Sequence, residues 1–600
     1  MKKFKNARSK LSVQTFKHPR IFIILSMVII NILILIVAAI IAVVIENDYS
    51  NIITAFTDGS VKWMLTPNAI LTINDPATLV LAVGVLIIGL VLFSGTIIAL
   101  TTNTLKSYFD KKQAGSGKVY LEDHILVLNW NHKIPALVAD LLYVKSRRVT
   151  VIILSDVDKT HAERQLRDAI DKTDASKKMR ANLNVLVKTG DPLLKADLED
   201  VSIAEARAVL AMNKEFPSSE GGVAKSDLNI VKIILGIAQL DLARKPNIVA
   251  EIKDYRTKAK LETMNRVVDR LRDFDILPIC FDRRLGQIIA QTIIERTMED
   301  VYLALFSFAG SEAYRIENIT FNDVLMQHSH VTPLAKEGDD VYVLADNNKD
   351  KMMREPTPFT AENITMKPWD EKRMDDVYIV GENNKLPFIL EAFDAYERLH
   401  NSAFHATHMP YDRLDELIHE LNGKTTPATV LLLSEDAKES DALDAQVIDA
   451  LIRLESALPK EKRHIIVELL DPKNDRLIKN FNIENTIISN KLISLMLSKI
   501  ALFPETASFY DHLLTIEPSA EGRDDYAIVV KRAETLFDVA FPWQTGSVKH
   551  FILSVYQASD KRLMPMGFVK GHEATLFEGN LHAEKACVIE SDDRIILMKL

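Results

Sequence analysis

Two uninterrupted apolar runs of membrane length stand near the start of the chain, Ile21–Ile45 and Ala77–Leu100, and the long remainder holds no third. Each is long enough to cross a hydrocarbon core about 30 Å thick as a helix. Between them, Asn51–Leu65 carries apolar residues at Ile52, Ile53, Phe56, Val61, Trp63, Met64 and Leu65, which predicts a short amphipathic helix interrupted near Asp58–Gly59. Thr66–Pro67–Asn68 stops that helix, because proline cannot continue a helix interior. Ala69–Ile73 could then return as a strand. Non-helical backbone at membrane depth survives only when buried in protein or lining water, and a re-entrant pore loop satisfies that condition. An extracellular loop with an interfacial helix anchored by Trp63 is the alternative for this segment.

Beyond Gln113–Gly117, a short linker with Gly115, Ser116 and Gly117, the pattern changes to short β-branched runs separated by helical stretches. His124–Leu128, Val149–Leu154, Leu183–Val187, Val209–Met212, Ile248–Ile252 and Ile276–Ile279 are six such runs. They predict a parallel, doubly wound sheet. The pattern recurs at Val377–Val380, Val430–Leu433, Ile465–Leu469 and Thr486–Ile488, so a duplicated domain is the simplest account. Each half ends in a small β-rich piece. Tyr314–Asp346 contains FNDVL (Phe321–Leu325) and DDVYVLA (Asp339–Ala345), and Tyr510–Leu600 ends in DDRIILMKL.

The expected fold is therefore an α-helical membrane pore domain, two transmembrane helices with a re-entrant loop, followed by tandem α/β Rossmann-like domains with small α+β C-terminal subdomains. The boundaries follow from the pattern: a basic N-terminus at 1–20, a pore domain at 21–105 (helices 21–45 and 77–100, loop 51–73) and a linker at 106–121. A first Rossmann-like domain then covers 122–305 with its subdomain at 306–350, and a second covers 374–509 with its subdomain at 510–600.

Charge sets the orientation. Lys2, Lys3, Lys5, Arg8, Lys10, Lys17 and Arg20 precede the first run, and Lys106, Lys111, Lys112 and Lys118 follow the second. The loop between carries only Lys62, beside Glu46, Asp48, Asp58 and Asp75. Both termini are expected in the cytoplasm of a multi-pass plasma-membrane protein. The first run is too long for a signal-peptide core and is read as uncleaved. A net charge of −9 gives no reason to expect nucleic acid as a partner. The only cysteines, Cys280 and Cys587, lack metal-ligand spacing and read as buried thiols in a reducing compartment.

The turn after each first strand lacks the glycines of a dinucleotide cradle. It reads Asn129–Trp130–Asn131–His132–Lys133–Ile134 in one half and Gly381–Glu382–Asn383–Asn384–Lys385–Leu386 in the other. Ordinary NAD binding is therefore disfavoured. Asp156, at the end of the second strand, stands where a ribose-binding acid would sit, but without those glycines it reads as a turn or cap. No Ser/His/Asp or Cys/His constellation appears, so an enzyme is not expected. His405 and His408 read as structural or solvated. Nor does the second apolar run carry an ionisable residue, which disfavours a proton relay.

Several blocks resemble the Castor/Pollux family of ion channels. They are His124–Asn131 (HILVLNWN), Gly190–Ala211 (GDPLLKADLEDVSIAEARAVLA), Asp282–Phe308 beginning DRRLGQIIAQ, and Phe321–Leu325. The resemblance covers Val85–Asp346 well and the second half more loosely. It implies a homotetrameric cation channel in the lipid bilayer, with paired regulator-of-conductance (RCK) domains forming a gating ring, and Thr101–Leu121 coupling ring to pore. Related rings take calcium, other cations or nucleotides, so the resemblance leaves the ligand open. Thr66, Pro67 and Asn68 would hold the filter position; neither the potassium-filter sequence nor the acidic, glycine-containing filter of plant members is present, so selectivity for potassium, or a calcium-permeable or non-selective pore, stays open. Candidate ligand positions are the strand ends at the switch points of such sheets: Asn129, Asn131, Asp156, Gly190, Asp191 and Asn213, with Gly381, Glu382, Asn383 and Glu435 as counterparts. The competing reading is a membrane-anchored nucleotide or ion sensor without conduction.

Overall fold

The computed structural model describes residues 19–45, 49–113, 117–145, 148–214, 222–308, 310–356, 360–369, 372–435, 444–459, 463–470, 474–478, 481, 485–516, 527–571, 573–577 and 586–600. The basic residues Lys2 to Lys17, Glu46, Asp48 and the linker residues Gly115 and Ser116 lie outside that set. The chain divides into two compact units, Met1–Ala114 and Gly115–Leu600.

In the first unit, helix α1 (Pro19–Ile45) and helix α2 (Pro76–Gln113) flank a folded-back segment. Asn51 starts that segment with a reciprocal cap, its side chain accepting from the Thr54 N–H while Thr54 accepts from the Asn51 N–H. The helix Ile52–Thr54 then widens to π geometry over Ala55–Val61 and tightens again over Lys62–Leu65. The interruption expected at Asp58–Gly59 is thus a seven-residue π-helical stretch between two α-helical turns, a rare geometry met most often at functional sites. The expected return strand is instead a 3-10 turn, Pro67–Thr72. Its proline has no N–H to donate and its fixed φ suits a helical first residue, which favours a turn over extended backbone.

Leu35, Ala38, Ala39 and Ala42 from α1, Ala55, Trp63 and Ile70 from the loop, and Ala82 and Val85 from α2 form one buried cluster. Small residues on α1 let the loop helix approach closely. A Cβ on Gly89 of α2 would lie 2.7 Å from Met64 Cγ, so only glycine leaves room for that side chain. Among the described residues one stretch, Val28–Ile45, is long and apolar enough to cross a membrane, whereas the apolar stretch Pro76–Gly89 is shorter.

The second unit is Rossmann-like α/β. Strands β1 (Ile125–Leu128), β2 (Val149–Ser155), β3 (Leu183–Thr189), β4 (Ala208–Ala211), β5 (Asn247–Ile252) and β6 (Ile276–Cys280) form a parallel sheet in the order β3-β2-β1-β4-β5-β6. Ile125 sits opposite both Val151 and Ala208, so β1 is the central strand where the winding reverses. Helix α3 (Ile134–Asp140) leads away from β1, and helix α4 (Phe281–Ile294) follows β6. Then come β7 (Glu312–Ile316), β8 (Thr332–Glu337) and β9 (Asp340–Ala345), a small antiparallel sheet ordered β7-β9-β8. FNDVL is not part of that sheet. It starts the helix Phe321–Gln327, which Thr320 caps by accepting from the Asp323 N–H at 3.1 Å.

The second lobe repeats the plan with β10 (Met374–Val380), β11 (Ala403–Met409), β12 (Ala428–Leu432), β13 (Arg463–Leu469) and β14 (Asn485–Ile488), in parallel order β11-β10-β12-β13-β14. Among the described residues it is the first sheet without its outermost strand. Strand β11 holds His405 and His408 and was not among the expected strands. Helix α5 (Leu386–His400) follows β10, and α6 (Ser489–Leu502) and α7 (Ala507–Leu514) follow β14. The chain ends in a four-stranded antiparallel sheet ordered β15-β20-β17-β18 and a two-stranded one pairing β16 with β19, where β15 is Ala527–Arg532, β16 Trp543–Thr545, β17 Leu563–Lys570, β18 Glu573–Leu576, β19 Cys587–Ile589 and β20 Arg594–Lys599.

The lobes meet face to face through α4. A Cβ on Gly286 would lie 2.7 Å from Phe388 Cβ and 2.9 Å from the Lys385 carbonyl oxygen, so α4 and α5 touch almost backbone to backbone. Around that point Arg284 pairs with Asp511 at 2.6 Å, and Gln287 accepts from the Ile516 N–H at 3.0 Å. Gly286→Val is expected to lower the stability of this unit by about 3 kcal/mol, the upper end for overpacking, because one clash is with backbone that cannot rotate away. Thermal unfolding of the variant beside the parent checks this.

Candidate functional site

Each Rossmann lobe places a polar network at the switch point of its sheet. In the first, Asn129 leaves β1 with φ 72°, in the left-handed region that asparagine tolerates. Its side-chain amide donates to the Met212 carbonyl at 2.9 Å and to Asn229 at 3.1 Å. Asn131 donates to the Asn213 carbonyl and to Glu251, both at 3.0 Å, and accepts from the Lys133 N–H at 3.1 Å. The Asn213 N–H donates to Glu251 at 2.9 Å, and the Asn213 side chain donates to Asp227 at 2.8 Å. Lys133 completes the set through a salt bridge to Glu251. Asp227 also accepts from the Lys253 and Asp254 N–H groups at 3.0 and 2.9 Å, while burial pushes its carboxyl above the usual range.

The second lobe builds the same network. Asn383 donates to the Ser434 carbonyl and to Glu468, both at 2.8 Å, and accepts from the Lys385 N–H at 3.0 Å. Lys385 pairs with Glu468 at 3.2 Å, their side chains 3% and 0% exposed, and Ser489 also donates to Glu468. Asp444 takes the Asp227 position, accepting from Ser434 at 2.6 Å, from the Leu470 N–H at 2.9 Å and from Asn474 at 2.9 Å. Gly381, with φ 92°, stands where Asn129 stands in the first lobe. A Cβ there would lie 2.6 Å from the Tyr411 ring, whose hydroxyl donates to the Leu433 carbonyl at 2.7 Å.

The turn that cradles a pyrophosphate in dinucleotide-binding proteins is here tied by its own asparagine and lysine to a glutamate near the end of another strand, Glu251 of β5 or Glu468 of β13. A buried charge is tolerated only when paired and hydrogen-bonded, and both networks meet that condition. Asn131, Asn213 and Asn383 lie inside these networks, and Asn129 lies beside the first. Lys133, Glu251, Asp227, Lys385, Glu468 and Asp444 belong to them as well and were not singled out in the sequence. The repeat Asn-x-Lys-x-Pro, at Asn131–Pro135 and again at Asn383–Pro387, is the signal that would have found the lysines.

The other candidates go elsewhere. Asp156 is paired with Lys214 at 2.8 Å, and that hydrogen-bonded ammonium holds its carboxyl below the usual range. It does not cap the next helix; Asp158 does, accepting from the His161 N–H. Gly190 and Asp191 form a turn stitched by Asp197, which accepts from the Asp191 N–H at 2.8 Å and would sit 2.9 Å from any Cβ on Gly190. Glu382 is exposed and Glu435 partly buried. Among the described residues no three His, Cys, Asp or Glu side chains converge as a metal cluster.

In the membrane unit, Thr66, Pro67 and Asn68 lie at the sharp turn where the loop helix ends. The Thr66 N–H donates to the Lys62 carbonyl at 2.8 Å, and the Ala69 N–H donates to the Thr66 carbonyl at 2.9 Å. Thr66 and Asn68 are exposed. A polar recess of about 490 Å³ in this unit is lined by Tyr49, Asp58, Lys62, Trp63, Asn74 and Asp75, among others.

No family model matches the chain. The probable ion channel CASTOR of Oryza sativa subsp. japonica is 20% identical over 505 residues, covering 69% of this chain and 54% of that protein. The ion channel CASTOR of Lotus japonicus is 19% identical over 500 residues, covering 69% and 56%. The probable ion channel POLLUX of Arabidopsis thaliana is 21% identical over 291 residues, covering 43% and 32%. The chain spans about half the length of the CASTOR relatives it matches. Among solved structures, the human SLO3 gating ring superposes with a TM-score of 0.51 at 12% identity, covering 80% of this chain and 99% of that one, a likeness of fold. Taken with the Asn-Trp-Asn turn and the Gly-Asp-Pro-Leu block, these matches make the chain similar to the Castor/Pollux ion channels over about two thirds of its length.

Proposed function

We propose that this chain is the subunit of a homotetrameric cation channel in the plasma membrane, opened or closed by a ligand acting on its cytoplasmic Rossmann lobes. The observation that carries this reading is the folded-back helix Ile52–Leu65, packed by Trp63 against both α1 and α2. A bare anchor needs no such segment. Four copies around an axis would bring the Thr66–Pro67–Asn68 turns together as the narrowest part of a pore, with Asp58 and Asp75 favouring cations near by. The relatives named ion channels and the gating-ring fold of the second unit support the same assignment. Both termini face the cytoplasm in this reading, from the charge asymmetry of the loops. The ring's ligand is a cation or a nucleotide-class molecule, and the tied turns make a glycine-cradled dinucleotide the weaker choice.

The energy needed is modest. A ligand that binds the open ring tenfold more tightly at each of four sites shifts the equilibrium by about 5.5 kcal/mol. Ion flux through purified protein in liposomes, under potassium, sodium and calcium gradients with and without calcium on the cytoplasmic side, tests the proposal. Selective flux supports it and names the permeant ion. Absence of flux from protein shown to be tetrameric, under every condition, favours an anchored sensor.

A further inference from the structure

Where the two lobes join, α6 of the second lies along α3 of the first, and two serines fasten them. Ser494 donates to the Lys133 carbonyl at one end of α3, and Ser498 donates to the Asp140 carboxylate at the other, at 2.8 and 2.7 Å. Lys133 is the lysine of the first crevice, so one short helix connects crevice and joint. Around Asp140 lies a charged cluster sealed from water. Asp140, Glu312 of β7 and Lys499 of α6 are 5%, 1% and 1% exposed. Asp140 also accepts from the Phe308 N–H at 3.3 Å. Glu312 accepts from the Tyr314 hydroxyl through one oxygen, while its other oxygen, the Lys499 ammonium and the Tyr510 hydroxyl of α7 have no hydrogen-bond partner among the described residues. The ammonium rests 3.9 Å from the centre of the Phe308 ring.

Two carboxylates against one ammonium leave one negative charge in excess. Lys145, which is exposed and donates to the Gly310 carbonyl at 3.3 Å, adds positive charge only from the edge, and beyond Tyr314 the charges of Asp350 and of Lys351, 5.8 Å from the Tyr314 ring centre, offset each other. An excess charge without water is costly unless something neutralises it, and the smallest neutralising ligand is a proton.

We propose that Asp140, Glu312 and Lys499 form a proton-binding site at the joint between the lobes, so that cytoplasmic acidification tightens their packing and alkalinisation loosens it. Its effect on gating rests on the channel reading; the site itself does not. Burial pushes the Asp140 carboxyl up to about 6 against the pull of Lys499 and Ser498, and pushes Lys499 down to about 8. The folded carboxyl thus holds its proton more tightly than the unfolded one. Its contribution to stability is full below about pH 4 and is lost as pH rises through about 6.

The test uses the full chain in lipid nanodiscs between pH 5 and 7.5. Amide exchange of Ser489–Leu502, corrected for its intrinsic pH dependence, is expected to slow about tenfold on acidification, and Tm to rise with an onset near pH 6. Asp140→Asn, which keeps the shape without the charge, is expected to remove both transitions. Glu312→Gln, which removes the excess charge from the other side, is expected to move the onset down by about one pH unit. Unchanged transitions in Asp140→Asn overturn the proposal, as does an unmoved onset in Glu312→Gln. Transitions that vanish in Asp140→Asn, in protein that conducts no ion, support the site and count against the channel reading alone.

Discussion

Replacing Glu468 by alanine is expected to destabilise the Rossmann-like unit by about 3–5 kcal/mol, the range for breaking a buried ion pair from one side. Lys385 would keep its charge at 2% exposure with its partner gone. Asn383 would lose one of its two acceptors, and Ser489 would lose the carboxylate it donates to. The double replacement Lys385→Met with Glu468→Leu removes both charges and fills similar volume, so it is expected to recover most of the loss. Urea unfolding of the four proteins of this cycle measures it, and a double variant as unstable as the single one would mean that packing, not the unpaired charge, sets the cost. The equivalent pair in the first lobe, Lys133 and Glu251, is slightly less buried at 11% and 2% exposure, which predicts a smaller effect there.

That both lobes carry this pair bears on how the unit is made. Asn131, Lys133, Glu251 and Asp227 correspond in role and connection to Asn383, Lys385, Glu468 and Asp444, even though Gly381 stands in place of Asn129 and, among the described residues, the second sheet has one strand fewer. A duplicated fold can drop an outer strand, because only one edge must be re-covered. It cannot easily drop half of a buried charge network, because the remainder would be stranded.

The buried strands were legible in the sequence for a simple reason: a parallel sheet covered on both faces writes itself as continuous β-branched runs. Strand β11 was not, because positions 405–408 of AFHATHM are exposed at the sheet edge and the run carries two histidines. FNDVL reads as apolar enough for either structure, and the deciding feature was the Thr320 cap outside it. In the candidate site the asparagines were visible because they directly follow strands. Lys133, Lys385, Glu251 and Glu468 were not, since a lone lysine or glutamate usually lies on a solvated face; only their recurrence in both halves marks them. Gly190 and Asp191 were conspicuous for a local reason, a tight turn closed by Asp197, rather than for convergence with the asparagines.

Trp63→Ala is expected to abolish ion flux while leaving the urea transition of the Rossmann-like unit unchanged. Trp63 is 2% exposed and sits edge-on to Tyr49, with ring centres 6.4 Å apart. In that cluster it is the one large side chain of the folded-back helix that is fully buried, and the alanines around it on α1 and α2 are too small to close over its absence. Its loss leaves a cavity worth about 3–5 kcal/mol of packing, far more than a four-residue turn of helix can supply from its own hydrogen bonds. The helix would lose its fixed position and the Thr66–Pro67–Asn68 turn would lose its support. Trp63→Phe fills most of that space and is expected to keep partial flux. The comparison separates pore from anchor: a Trp63→Ala protein that conducts as well as the parent would show that ions do not pass beside this helix.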